Sequence, residues 1–191
     1  MWGMMMVNDI PEDLTERKIW VLAQLTRRLA EVGIRPILVG GTAVALYTAG
    51  AYVSADVDIV ASDRQRVGRT LREMGFQPVG RHWVHPQWDV AIEIPDTDLA
   101  GDPGRVVQID LADGSVVYCI GIEDLLIDRL NAAVHWHSLE DRRWAADLLR
   151  LHASRVDWQY LHARAEQEGV LALLEELGRE VRNPDAEDKM E

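Results

Sequence analysis

The chain has 191 residues, 48% of them hydrophobic and 27% charged, with a formal charge of −12. That length suits one domain, or one domain with a small appendage, and leaves room for a real core. No apolar run approaches the roughly 20 residues that span a bilayer, and the net acidity sets the surface as a whole against nucleic acid, so DNA is not an expected partner and any polynucleotide needs a local basic patch.

The opening, MWGMMMVNDIPED, has no basic stretch and turns acidic at once, which is unlike a signal peptide. Residues 12–32 place Leu22, Leu25, Leu29 and Val32 at helical spacing and predict an amphipathic helix that Gly33 can end. RPILVG follows as a short buried strand, TAVALYTA as a small apolar helix ending near Gly50, and VDIVA as a second strand. A helix over 63–74, closed by Gly75, carries Arg64, Arg66, Arg69 and Arg72, which form either a local basic patch or a solvated helix face. Strands are predicted at 82–85, 88–94, 105–111 and 115–120, with ADG at 112–114 as a hairpin turn. Helices then follow near 122–136, 138–153, 157–168 and 169–181, before the polar, proline-broken NPDAEDKME, expected to be disordered. Cys119 is the single cysteine, which excludes an internal disulfide, fits a reducing cytoplasm, and reads as core within VVYCI.

This order predicts an α/β (α+β) fold: a small mixed sheet flanked by helices, followed by a helical C-terminal region. The expected divisions are an α/β core at 1–121, a helical region packed on it at 122–182, and a tail at 183–191.

Two features ask for more than folding. A strand ending in Gly40-Gly41 and running into a helix at Thr42 can be a tight turn. It can equally bring a phosphate to the helix start, where unpaired N–H groups and a partial positive charge lie and where Thr42 can cap the helix or offer its hydroxyl. In Asp56-Val57-Asp58-Ile59-Val60 the two aspartates share one strand face while Val57 and Ile59 share the other. Adjacent carboxylates repel, and aspartate is a poor strand former, so a solvated edge strand is the plain alternative to a hard divalent cation such as Mg²⁺. A dinucleotide fingerprint is excluded: the glycines read G-G-T-A-V-A, not G-x-G-x-x-G, and the intervening helix is short.

A double glycine with Thr at a helix start, then D-x-D on the next strand, resembles the DNA polymerase beta-type nucleotidyltransferase superfamily. The stretch VGGTAVALYTAGAYVSADVDIV is most similar to the AbiE-type toxin nucleotidyltransferases and related uncharacterised bacterial families, in which a GGT-A block precedes R-[FY]-[ST]-x-D-[IL]-D. The resemblance implies that Gly40, Gly41 and Thr42 hold the nucleotide phosphates and that Asp56 and Asp58 hold two Mg²⁺ ions, or Mn²⁺ in their place. It departs at Tyr52, where the family has the arginine that supports this loop.

The superfamily supplies a third carboxylate from a later strand. Asp89 and Glu93 share a face of WDVAIEIP, and Asp110 is a further candidate; the resemblance favours Glu93, because a V-E-[FI]-P segment recurs in the related families. This acid deprotonates the acceptor hydroxyl or holds the second metal. Glu123, Asp124, Asp128, Arg129 and Asp141 match the family's helical pattern, with Arg129 either reaching the triphosphate or pairing with Asp124 or another nearby acid. His135 and His137, two apart on a helix, cannot share one ion, and His82 and His85 face opposite ways on a strand. Trp83, Trp88 and Trp136 are candidates for base stacking.

The expectation is a cytoplasmic, Mg²⁺-dependent nucleotidyltransferase that moves a nucleoside monophosphate from an NTP to an acceptor hydroxyl on a tRNA end, a protein or a small molecule. Membership of a toxin–antitoxin pair, with a cognate partner, belongs to the same expectation. The alternative is an inactive scaffold of this fold that binds a toxin or antitoxin partner.

Overall fold

A computed structural model of the protein describes residues 10–182; the expected tail at 183–191 and the first nine residues lie outside the described residues. Helix α1 (Leu14–Ala30) opens where the Asp13 carboxylate accepts the Glu16 N–H, an N-cap that satisfies one orphan donor. Its buried stripe contains Leu22, Leu25 and Leu29, and also Lys18, one turn before Leu22.

Seven strands form one mixed sheet. They are β1 (Ile37–Val39), β2 (Val57–Val60), β3 (Gln77–Val79), β4 (His82–His85), β5 (Val90–Glu93), β6 (Val107–Asp110) and β7 (Val116–Cys119), in the order β3-β4-β5-β2-β1-β7-β6. Strand β1 runs antiparallel to β2 and parallel to β7, and β2 runs parallel to β5. The β6–β7 hairpin turns at the predicted ADG, where Gly114 adopts φ 80° and Leu111 N–H bonds the Ser115 carbonyl at 2.8 Å. A short 3₁₀ turn at Pro103–Arg105 replaces the start of the strand predicted from residue 105. Strand β3 was not predicted: it is exposed at the sheet edge and contains Pro78, which lacks the donor an inner strand needs.

Helices α2 (Gly40–Tyr47) and α3 (Arg64–Glu73) interleave with the strands, and α4 (Ile122–His135), α5 (Leu139–His152), α6 (Trp158–Gln167) and α7 (Leu171–Arg182) complete the chain. Helix α4 packs on α2 and α5, so the helical half sits against the glycine turn. Leu22, Leu38, Ile59 and Ile92 from the first half belong to one buried cluster with Leu125, Leu126, Leu130, Leu148 and Leu149 from the second. Each such side chain contributes about 1.5–3 kcal/mol by leaving water. The expected mixed sheet flanked by helices is therefore the architecture found. Among the described residues, no helix is long and apolar enough to cross a membrane.

Candidate active site

The register of β1 and β2 sets Val39 opposite Asp58, which brings the aspartate to the turn that follows β1. Gly40 has φ 59°, and a Cβ built on it would collide with Asp58 Oδ2 and lie 2.9 Å from Cγ. The Gly41 N–H donates to the same carboxylate. The double glycine thus lets a side chain of the protein come close, and that side chain takes one of the N–H groups at the start of α2. Burial pushes the Asp58 carboxyl up, and repulsion from Asp56 and Glu93 pushes it further, to about 6, against the opposing pull of the Gly41 N–H and Arg129.

Strand β5 runs parallel to β2 with Glu93 opposite Asp58, and β4 runs antiparallel to β5 with His82 opposite Glu93. Val90 and Ile92 face the core, so Glu93 falls on the face that Asp58 uses. His82 Nε2 lies 3.0 Å from Asp56 Oδ2 and 3.3 Å from Glu93 Oε2, and Arg81 Nε reaches Glu93 at 3.2 Å. Asp56, His82 and Glu93 each offer a ligand atom, all within 4.8 Å of one another. Asp89 instead occupies the exposed turn before β5, at φ 51°, and Asp110 lies on β6 at the opposite sheet edge, accepting the Gln108 side-chain amide at 2.9 Å. Of the three candidate acids, only Glu93 stands beside the aspartate pair. The Asp56, His82 and Glu93 donors, with the buried Asp58 carboxyl beside them, fit a divalent cation chemically.

The loop between α2 and β2 is held from three sides. The Thr42 hydroxyl donates to the Asp56 carbonyl at 2.6 Å, and the Ser54 hydroxyl donates to the same oxygen at 2.8 Å. Of the roles open to Thr42, capping is not the one taken: the N-cap is Val39, which has no side-chain donor or acceptor, and the buried Thr42 hydroxyl fixes Asp56. The buried Lys18 ammonium donates to the Ser54 carbonyl. Burial lowers its pKa, while Asp56, Asp89 and Asp58 raise it in opposition. Tyr52 stands edge-on to Trp144, ring centroids 4.7 Å apart, with its ring edge 2.8 Å from where a Gly41 Cβ would lie. The arginine that the resemblance implied for this loop is thus answered by an aromatic wedge at Tyr52 and a lysine from α1. Lys18 escaped the sequence reading although its place on the apolar stripe of α1 is a visible anomaly.

Arg129 is half-buried and paired with Asp128, and with Asp141 at 2.6 Å. Burial opposes its charge, yet these two acids outweigh burial and raise its pKa, and its field also lowers that of Asp58. Glu123 accepts the Asp157 N–H at 2.9 Å, and buried Asp124 accepts the Asp102 N–H and the Tyr160 hydroxyl, so both tie helices and loops together. His85 is buried, with its ring stacked on Trp88 at 3.7 Å, while Trp83 packs against Gly68 and under Arg72. Trp136 is 77% exposed at the end of α4, so the tryptophan facing the site loop is Trp144. Arg64 donates to the Ile94 and Pro95 carbonyls, which together with Arg72 leaves half of the predicted basic patch engaged in packing. Cys119 is core: burial pushes its thiol up to about 12.

No known protein family matches the chain, and no curated protein sequence matches it. Solved structures do. An antigenic nucleotidyltransferase-like protein from Paracoccidioides brasiliensis superposes with a TM-score of 0.60 at 15% identity, over 90% of this chain and 93% of that one. The antibiotic-resistance factor ANT(2'')-Ia superposes with a TM-score of 0.57 at 13% identity, over 86% of this chain and 98% of that one. At such identities the likeness defines the fold: the chain has the fold of nucleotidyltransferase-like proteins, over nearly its whole described length.

Proposed function

We propose that the protein is a divalent-metal-dependent nucleotidyltransferase that moves a nucleoside monophosphate from an NTP to an acceptor hydroxyl. The observation that carries this reading is the convergence of Asp56, Asp58 and Glu93 on one face of the sheet beside the Gly40-Gly41 turn, an arrangement that folding alone does not favour. The likeness of the fold to nucleotidyltransferase-like structures supports it.

In this reading Asp56, Asp58 and Glu93 would hold Mg²⁺. When bound, the ion would neutralise phosphate charge and polarise the reacting oxygens. The residues do the rest by position. Gly41 orients Asp58 through its N–H, and Thr42 and Ser54 fix the backbone of Asp56, so the carboxylates meet their ligand already placed. Gly40 and Gly41 let Asp58 lie against the start of α2, where the triphosphate would meet it, and Arg129, held by Asp128 and Asp141, adds positive charge to the site. The acceptor oxygen forms a bond to the α-phosphorus as the bond to the β-phosphate oxygen breaks and pyrophosphate leaves. Glu93, on the strand beside Asp58, would take the acceptor proton or hold the second metal ion.

The acidic surface favours a protein or small-molecule acceptor over RNA. The GGT-A and D-x-D blocks favour the AbiE-type branch and a toxin–antitoxin setting. Incubation of the protein with each α-labelled NTP, Mg²⁺ and a cell lysate tests the reading. Label should appear on an acceptor with the wild type and vanish with Asp56→Ala/Asp58→Ala; equal labelling by both sinks it.

A further inference from the structure

We propose that His82 is a direct ligand of the metal site, so that an imidazole joins Asp56 and Glu93 around one ion, with Asp58 standing beside that set. The inference rests on the metal-dependent reading above and names a residue that the carboxylate set does not include. Three observations carry it. The first is register: β4 pairs with β5 so that His82 lies opposite Glu93, on the strand face that carries the acids, while Trp83 and His85 turn to the packed face. The second is convergence. A single atom, Nε2, approaches an oxygen of each carboxylate, at 3.0 Å from Asp56 and 3.3 Å from Glu93. Two donors at right angles on an ion with bonds of about 2.1 Å are about 3.0 Å apart, so Nε2 has the spacing of a neighbouring ligand to each oxygen, and the three atoms lie within 4.8 Å of one another. Glu93 Oε2 also receives Arg81 Nε at 3.2 Å, so an ion entering here would take the place of Arg81 on that oxygen and of the His82–Asp56 hydrogen bond. The third is accessibility. The His82 side chain is 29% exposed, against 21% for Asp56 and 14% for Glu93, so an ion can reach it from solvent without opening the fold.

The consequence is selectivity. Mg²⁺ prefers oxygen ligands and gains little from imidazole, whereas affinity for nitrogen donors climbs from Mn²⁺ to Co²⁺. The histidine therefore broadens the site from a hard-ion site towards later first-row ions.

Calorimetric titration of the full, metal-free chain with Mg²⁺, Mn²⁺ and Co²⁺, together with the visible absorption of bound Co²⁺, tests this without reference to turnover. His82→Ala should weaken Co²⁺ at least about tenfold, Mg²⁺ by less than about threefold and Mn²⁺ in between, and should shift the Co²⁺ bands. His82→Gln, whose side-chain amide reaches close to the place of Nε2, should reproduce the alanine result for Co²⁺ if loss of the imidazole is the cause. An equal loss for all three ions, or unchanged Co²⁺ affinity and spectrum in both variants, overturns the assignment. The two levels fail separately. If the wild type binds none of the ions, the metal-dependent reading falls as well. If Mg²⁺ binds and is lost in Asp56→Ala/Asp58→Ala while both His82 variants bind Co²⁺ as the wild type does, only the role of His82 falls.

Discussion

The carboxylate of Asp58 occupies the space into which a side chain at Gly40 would project. Gly40→Ala therefore meets two penalties, a left-handed backbone at φ 59° and the displacement of Asp58. The expected cost is roughly 2 kcal/mol in denaturant unfolding. Adding Asp58→Ala should relieve the collision with the carboxylate, leaving a 3.0 Å contact to the Cβ of residue 58 and the backbone strain, so the double variant loses less than the sum of the single ones. Strict additivity would mean that the two residues do not meet.

The same carboxylate sets a pH dependence for the metal-free protein. Folded Asp58 keeps its proton up to about pH 6, whereas the unfolded chain releases it near 3.8. Between these values the folded state binds more protons, so this group favours folding as pH falls and opposes it once ionised. Asp58→Asn should then be more stable than the wild type by roughly 1–2 kcal/mol at about pH 8, a figure reduced for partial exposure, and the difference should vanish below about pH 4. Thermal melts across this range in chelator check it, and Mg²⁺ at high pH should reverse the order of the two proteins.

Much of this candidate site was legible because its residues conflict with folding rules. Two aspartates on a strand, flanked by core-facing Val57 and Ile59, have no structural excuse, and the period of two also put Glu93 on a face away from Val90 and Ile92. His82 was legible as a residue facing away from His85; its meeting with Asp56 and Glu93 needs the pairing of β4 with β5, which one chain of letters does not reveal. The hydroxyl partner of Thr42, the Asp56 carbonyl fourteen residues on, gave no local signal. The mixed sheet followed from strand and helix patterns, and only the edge strand around Pro78 gave no signal.

Lys18 supports the loop from the apolar stripe of α1. Lys18→Met keeps the apolar stem but leaves the Ser54 carbonyl without its ammonium donor, and should cost about 1–3 kcal/mol. The loss should be local as well as global: limited proteolysis is expected to cut the 51–55 segment, where the exposed Val53 and Ala55 flank the freed carbonyl. An unchanged melt and an unchanged cleavage pattern would remove Lys18 from the loop's support.

Arg129 bridges two acids, Asp128 and Asp141, and a lysine cannot span both with a planar fork. Arg129→Lys should destabilise by about 1–2 kcal/mol and raise KM for the NTP more than it lowers kcat. A stability loss with an unaltered KM would confine Arg129 to joining α4 and α5.

The central claim is transfer of a nucleotidyl group, and the fate of the phosphates tests it most directly. The protein, Mg²⁺ and its acceptor preparation are incubated in parallel with α-labelled and γ-labelled NTP. The account predicts that the α-label becomes acid-stable on the acceptor, that the γ-label leaves as pyrophosphate, and that both changes disappear with Asp56→Ala/Asp58→Ala. Retention of the γ-label on the acceptor, or label transfer that survives the double substitution, would contradict it.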